Sequence, residues 1–457
     1  MQRFSWMLFV WPILDGNGKR GVYWDKHVGA GDGMPERAGQ TDIAVVGGGA
    51  AGLTAALLCA RAGARTVLLE KAPRVGKKLL ATGNGTCNLS NLSASPARYH
   101  GAGSAGFVRP VLEAYPPRRI MAFFEELGLA CEAREDGRIY PRTAQASAVL
   151  DCLRLALSAA GAEERTGCSV TAMQRTADGF VLETDGGRLT SRLVLVSTGG
   201  AAAPSLGGGT DGYTLLTALG HTRTPLFPSI VQVKTDPSAV RALKGIRLNA
   251  AVTFRLDGRT LSQETGELLF TEYGLSGPAV MQASRPVGDW ERRKAGRMTA
   301  VLDLLPDRTE RDLCICLEQR RRLPGRTLED YFTGLLHKRV GQALLRQAGI
   351  GPFTRPVSDL SEKQTARLAN GIKNWEIPVI GTQGMGGAQV TAGGIALDEV
   401  DPASLMSRKV PGLYLAGEVL DVDGDCGGFN LQWAWASAHA AASAMRKALK
   451  RQKEVKR

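Results

Sequence analysis

From residue 41 onward the chain alternates between short, almost wholly apolar runs and longer stretches rich in alanine and leucine, with glycines at most junctions. Asp42 to Val46 is nearly all apolar, the pattern of a strand buried on both faces of a parallel sheet. Residues 50–64 predict a helix, and 66–69 predict a second buried strand closed by Glu70. Helical periodicity recurs over 111–127 and 146–160. Residues 165–174, 179–184 and 188–190 predict a strand and a hairpin. Leu193 to Val196 follows as a short buried strand ending in Ser197, Thr198, Gly199 and Gly200. The pattern then changes. Between 221 and 374 come β-rich runs at 230–234, 250–256, 267–271 and 298–304, with Asp257-Gly258 as a hairpin turn, and then helical stretches at 309–322, 328–336, 338–348 and 361–372. Strands at 375–382 and 412–416 return to the first pattern, and an alanine-rich helix follows Gly427 and Gly428.

Chemistry enters at the first junction. Gly47, Gly49 and Gly52 supply the G-x-G-x-x-G spacing directly after a strand and directly before a helix. The first glycine permits a tight turn, the second lets a pyrophosphate approach the backbone, and the third lets helix and strand lie close. Ala50 and Ala51 open the helix whose positive end faces that phosphate. Glu70, roughly 20 residues beyond the glycines, is placed to accept hydrogen bonds from ribose hydroxyls. The loop from Lys71 to Asn91 carries Lys71, Lys78, Thr82, Gly83 and Asn84, and offers cations and backbone N–H groups to the same ligand. Gly207, Gly209 and Gly212 repeat the glycine spacing, but no apolar strand precedes them, so a second nucleotide site is not expected there. In Thr271 to Val280, Tyr273 and its glycines suit either the edge of a substrate cleft or a structural turn.

Composition narrows the class. The chain has 457 residues, 44% of them hydrophobic and 22% charged, which suits two or three packed domains. Its apolar runs are too short for a membrane-spanning helix. Eight scattered cysteines without a C-x-x-C pair argue against a disulfide framework or a zinc site and favour a reducing compartment, the cytoplasm. The net charge of +13 is concentrated in a basic tail at 447–457 and in clusters at Arg292, Arg293, Lys294 and Arg297 and at Arg320, Arg321, Arg322 and Arg326. Solvated helix faces are the preferred reading, and nucleic acid is disfavoured as a partner. Residues 1–40 differ from the rest and are expected to be an extension, with Met34 a plausible alternative start.

The motifs GKKLLATGNGTCNLSN, FTEYGLSGPAV, VTAGGI and GLYLAGEVLDVDGDCGGFNLQWAWAS resemble those of the BaiN/RdsA-type NAD(P)/FAD-dependent oxidoreductases, also called aminoacetone oxidase-like or HI0933-like flavoproteins. The resemblance runs from Thr41 to about Met445. It implies an α/β fold: a discontinuous, glutathione-reductase-type, Rossmann-like FAD-binding domain at 41–220 and 375–446, interrupted by a β-rich and helical substrate domain at 221–374. It implies FAD held by Gly47, Gly49, Gly52, Glu70, Lys71, Thr82, Gly83, Asn84, Thr198, Gly199, Gly417, Glu418, Asn430 and Leu431, with Val170 beside the adenine. Gly428, at the start of the last helix, presents a second positive helix end to the flavin. The chain departs from the family pattern at Thr86, Phe429 and Ala438, where arginine, tyrosine and glycine are common.

The activity implied is hydride transfer from NAD(P)H through FAD to an unsaturated or carbonyl small molecule. An amine oxidase using oxygen and an RNA-modifying flavoprotein are the alternatives. His100, Cys87 and Tyr273 are the catalytic candidates, each with a structural role as its competing explanation.

Overall fold

The computed structural model describes residues 40–455. The extension expected over 1–40 therefore lies, up to residue 39, outside the described residues.

Strand Thr41–Val46 forms the middle of a seven-stranded sheet. It pairs in parallel with Thr66–Glu70 on one side and with Gly187–Val196 on the other. Glu163–Thr166 extends the first edge in parallel with Thr66–Glu70. The first half of Gly187–Val196 forms an antiparallel meander with Gly179–Thr184 and Val170–Thr176, while its last three residues pair in parallel with Leu413–Leu415. Thr41–Val46 is buried along its whole length, as a strand covered on both faces requires. Helix Ala50–Arg61 and the long helix Phe429–Val455 cover the sheet and pack against each other. The two ends of the chain thus meet in one sheet and one core.

The second core lies in a closed six-stranded barrel. Its strands are, in order around the barrel, Val233–Thr235, Gly274–Ser276, Arg259–Phe270, Arg247–Leu256, Met298–Asp303 and Trp375–Thr382. Asp257 and Gly258 make the two-residue turn between the longest pair, both with positive φ (49° and 82°), as a type I′ hairpin demands. Helices Glu310–Arg321, Lys338–Gln347 and Glu362–Lys373 pack on the barrel. Thr309 and Ser361 close capping boxes at the first and third of these helices.

Three expectations need correcting. Trp375–Thr382 closes the barrel against Met298–Asp303 and Val233–Thr235, and so belongs to the insert rather than to the returning sheet. The helix expected over 111–127 is two helices, Ser104–Ala114 and Pro117–Glu126, because the Pro116-Pro117 pair forces the chain out of helical geometry. The basic segment from residue 447 is not a separate tail up to Val455, since helix Phe429–Val455 runs through it.

One buried polar cluster fastens the returning chain to the insert's first residues. His221, fully buried, contacts Glu399 Oε2 through Nδ1 at 3.0 Å and Ser407 Oγ through Nε2 at 2.9 Å, and Lys409 Nζ donates to Glu399 Oε1 at 2.5 Å. Burial pushes the His221 pKa down and outweighs the pull of Glu399. Burial raises Glu399, but donors on Lys409, Thr222 and His221 outweigh it and hold the carboxyl at about 2. Both folded-state values lie below the ordinary ones, so the unfolded chain binds more protons in acid. The His221 contribution is complete above pH 6.5 and falls away below it, and that of Glu399 is lost between pH 4.5 and about 2. Thermal denaturation from pH 7.5 to 2 is expected to show Tm falling with acid, and Glu399→Gln is expected to flatten the part of that curve below pH 4.5.

Candidate active site

The three glycines of the first turn play three different parts. A Cβ on Gly47, whose φ is +104°, would stand 2.6 Å from the Ser197 carbonyl oxygen on the neighbouring strand end. A Cβ on Gly52 would stand 1.8 Å from the carbonyl oxygen of Gly47. A Cβ on Gly49 would meet no protein atom within 4 Å. Two of these positions are therefore filled by protein, and the third faces open space.

That space is a cleft of about 550 Å³, within the roughly 300–1,000 Å³ usual for sites that take cofactor-sized ligands. Its walls come from the first glycine turn, the loop after Glu70, the Ser197–Gly200 strand end, the Gly417-Glu418 strand end and the start of the last helix. Of the residues expected to bind the cofactor, Gly47, Gly49, Ala50, Ala51, Glu70, Lys78, Thr82, Gly83, Asn84, Thr198, Gly199, Gly417, Glu418, Gly428, Asn430 and Leu431 line it.

Three expected cofactor residues stand elsewhere. Gly52 lies behind the turn, against Gly47. Lys71 is turned away to Asp211 at 2.5 Å. Val170 pairs with Thr184 in the meander and is absent from the cleft wall. All three catalytic candidates also fall outside, His100 being held against Asp425. Cys87 is fully buried, with its thiol pushed up to about 12 by burial. Tyr273 lies between barrel strands Arg259–Phe270 and Gly274–Ser276, where its carbonyl accepts from Thr235 N–H, and it is absent from the cleft wall.

Sequence reasoning missed several residues of the wall: Arg74, Tyr140, Leu206, Ile230, Gln389, Asp425 and Cys426. Tyr140 and Ile230 sit outside the glycine motifs and only tertiary folding brings them in, while Arg74, Leu206, Gln389, Asp425 and Cys426 lie in or beside glycine-rich stretches whose own residues were not singled out. Gly207, set aside as part of a second nucleotide motif, also lines the cleft.

Each carboxylate in the cleft already has donors. Glu70 accepts from Gly48 N–H at 2.7 Å and Ala72 N–H at 2.8 Å. Glu418 accepts from Lys78 Nζ at 2.8 Å and from Thr391 N–H at 2.8 Å. Asp425 contacts His100 Nε2 at 2.8 Å and Arg98 at 3.2 Å, and although burial raises its carboxyl, these partners hold it below the usual range. Neither helix that opens on the cleft has an acid in its first turn. An anionic ligand therefore meets two positive helix ends and compensated carboxylates.

A second constellation imitates a catalytic centre. Ser407, His221 and Glu399 stand in the order of a hydrolase triad, but Ser407 Oγ accepts from Lys409 and Val410 N–H groups and the residue is 1% exposed. It holds the fold together and is closed to substrate.

Over residues 41–444 the chain matches the family described as HI0933-like protein Rossmann domain. The chain belongs to that family. It is 38% identical over 407 residues to a 3-dehydro-bile acid delta(4,6)-reductase of Clostridium scindens, an alignment that covers 88% of this chain and 98% of that protein. It is 31% identical over 406 residues to a ribosomal RNA dihydrouridine synthase of Escherichia coli, covering 88% and 97%. The chain is thus an FAD-dependent oxidoreductase with a Rossmann-like fold and a further β-rich unit. The cleft suits FAD on its own terms. Thr198 and Asn88 belong to its wall, each with a buried side-chain oxygen that has no partner among the described residues, and Gly49 leaves the phosphate approach open. No helix among the described residues is long and apolar enough to cross a membrane.

Two alanine substitutions separate these roles. Gly52→Ala forces its Cβ onto the Gly47 carbonyl and is expected to cost about 1–3 kcal/mol of stability and most FAD binding. Gly49→Ala is expected to leave the unfolding transition in place while weakening FAD by about tenfold or more, because its methyl group enters the ligand's space. Denaturant unfolding and flavin fluorescence titration of both variants check this.

Proposed function

We propose that the protein is an NAD(P)H-linked reductase that saturates a carbon–carbon double bond conjugated to a carbonyl in a small molecule. The observation that carries this reading is chemical common ground. A 3-dehydro-bile acid with 4,6 double bonds and a uridine both contain a double bond conjugated to a carbonyl, and the chain aligns with nearly the full length of the two proteins named for converting them. Bound in the cleft, FAD supplies hydride transfer between a nicotinamide and such an electron-poor bond.

The chain's own residues bind and orient. Gly49 and the N-terminus of helix Ala50–Arg61 receive the pyrophosphate. Glu70 keeps lone pairs free for ribose hydroxyls after accepting two N–H groups. Lys78 and Glu418 fix each other across the cleft. The wall of Ile230 and Gly386 to Val390 shields the other side from water. The Gly207–Gly212 segment follows a short turn at Pro204–Leu206 and no strand, so the nicotinamide is expected to dock transiently in the same cleft.

A small acceptor is favoured over RNA because the basic clusters are partly spent within the fold. Arg292 and Arg293 pair with Asp289, Arg321 pairs with Glu318, and Arg320 donates to the carbonyls of Tyr331 and Thr333.

Purified protein is expected to carry the yellow flavin spectrum, to bleach with NADH or NADPH in the absence of oxygen, and to recover its colour on adding an enone. Bleaching by amines but not by nicotinamides would instead make it an amine oxidase. Tight, salt-dependent binding to ribosomal RNA with no response to enones would move the acceptor to RNA.

A further inference from the structure

We infer that Tyr140 is the acid that protonates the acceptor carbon during reduction in the cleft, an inference that rests on the function proposed above. Tyr140 lies on strand Arg138–Pro141, paired with Glu132, and its ring forms part of the cleft wall. The Arg134 guanidinium stands 4.0 Å from the ring centroid and holds the ring's plane.

Neighbouring contacts fix the end of the cleft to which Tyr140 belongs. A Cβ on Gly83 would stand 3.9 Å from the Tyr140 ring and 3.2 Å from Asn88 N, and a Cβ on Gly428 would stand 2.7 Å from Asn88 Oδ1. Tyr140, Asn88 and Gly428 therefore share one end. Glu70, which takes the adenosine, belongs to the turn at Gly48. Were a dinucleotide held at Glu70, the groups at the Tyr140 end would be the ones available to its reactive ring.

The hydroxyl is free to act. Tyr99 donates to the Phe429 carbonyl and Tyr331 to the Leu317 carbonyl, whereas the Tyr140 hydroxyl has no hydrogen-bond partner among the described residues. Three other groups that could give a proton are tied up or lie outside the cleft. Lys78 is tied to Glu418, His100 to Asp425, and Cys87 is outside the cleft.

Reduction of a conjugated double bond requires a hydride at the β carbon and a proton at the α carbon. As the hydride arrives, the double bond's electron pair moves to the α carbon, the Tyr140 O–H bond breaks, and a C–H bond forms there. The two electrons come from NAD(P)H, and the phenolate recovers its proton from water.

Tyr140→Phe tests this in the FAD-loaded protein, with cyclohexenone and a 4-en-3-one steroid as acceptors. FAD affinity and the rate of bleaching by NAD(P)H are expected to stay within about twofold, and the visible band of the bound flavin is expected to shift. Reoxidation by the enone is expected to fall by roughly 10²–10⁴. Reoxidation by oxygen, which needs no proton on carbon, is expected to be unchanged. Equal enone rates in variant and wild type overturn the role of Tyr140. Loss of FAD, or equal slowing of bleaching and reoxidation, makes Tyr140 a cofactor contact and overturns it as the acid. Wild-type protein that bleaches with NAD(P)H yet never reoxidises with an enone overturns the proposed function instead.

Discussion

The site depends on the way the last helix is held. Helix Phe429–Val455 reaches both walls of the cleft with buried polar side chains: Trp433 Nε1 donates to the Gly417 carbonyl, Ser437 Oγ accepts from Gly417 N–H, and Trp435 Nε1 donates to the Leu89 carbonyl. Gln432 accepts from Ser90 and donates to the Tyr115 carbonyl. These groups are removed from water, so each bond left unmade would cost about 1–3 kcal/mol. One helix thereby fixes the Gly417-Glu418 strand end, the loop after Cys87 and its own N-terminus relative to one another. The approach of Gly52 to Gly47 fixes the opposite wall just as tightly.

Charge follows from this rigidity. A cleft that receives a pyrophosphate cannot present bare carboxylates, yet Glu70, Glu418 and Asp425 all line it. The fold resolves the conflict with fixed donors drawn from distant parts of the chain: Gly48 and Ala72, Lys78 and Thr391, Arg98 and His100. Asn430 closes the same end by exchanging hydrogen bonds with Gly424 in both directions, which holds the turn that carries Asp425 to Gly428. The acids therefore act as anchors for the backbone that shapes the cleft.

Much of this was legible because the first βαβ unit is local. Strand, glycines, helix and acid lie within one stretch of chain, where apolar run length and glycine spacing leave few alternatives. The late Gly417-Glu418 and Gly427-Gly428 elements were legible for the same reason. What escaped was set by partners far away. Trp375–Thr382 has the alternating burial of a barrel strand, but only its pairing with Val233–Thr235 says which sheet it joins. Lys71 sits between a ligand loop and Asp211, and the choice between them is made by helix Asp211–Ala218, which sequence spacing does not position. Tyr140 reaches the cleft from a short strand that carries no motif of its own.

The barrel is closed by its first and last strands, which lie side by side. The polypeptide therefore leaves the sheet unit and comes back to it through adjacent points, as a plug enters a socket by two neighbouring pins. Elements between those pins, from the long hairpin to the three outer helices, can be traded or lengthened over evolutionary time without moving either pin.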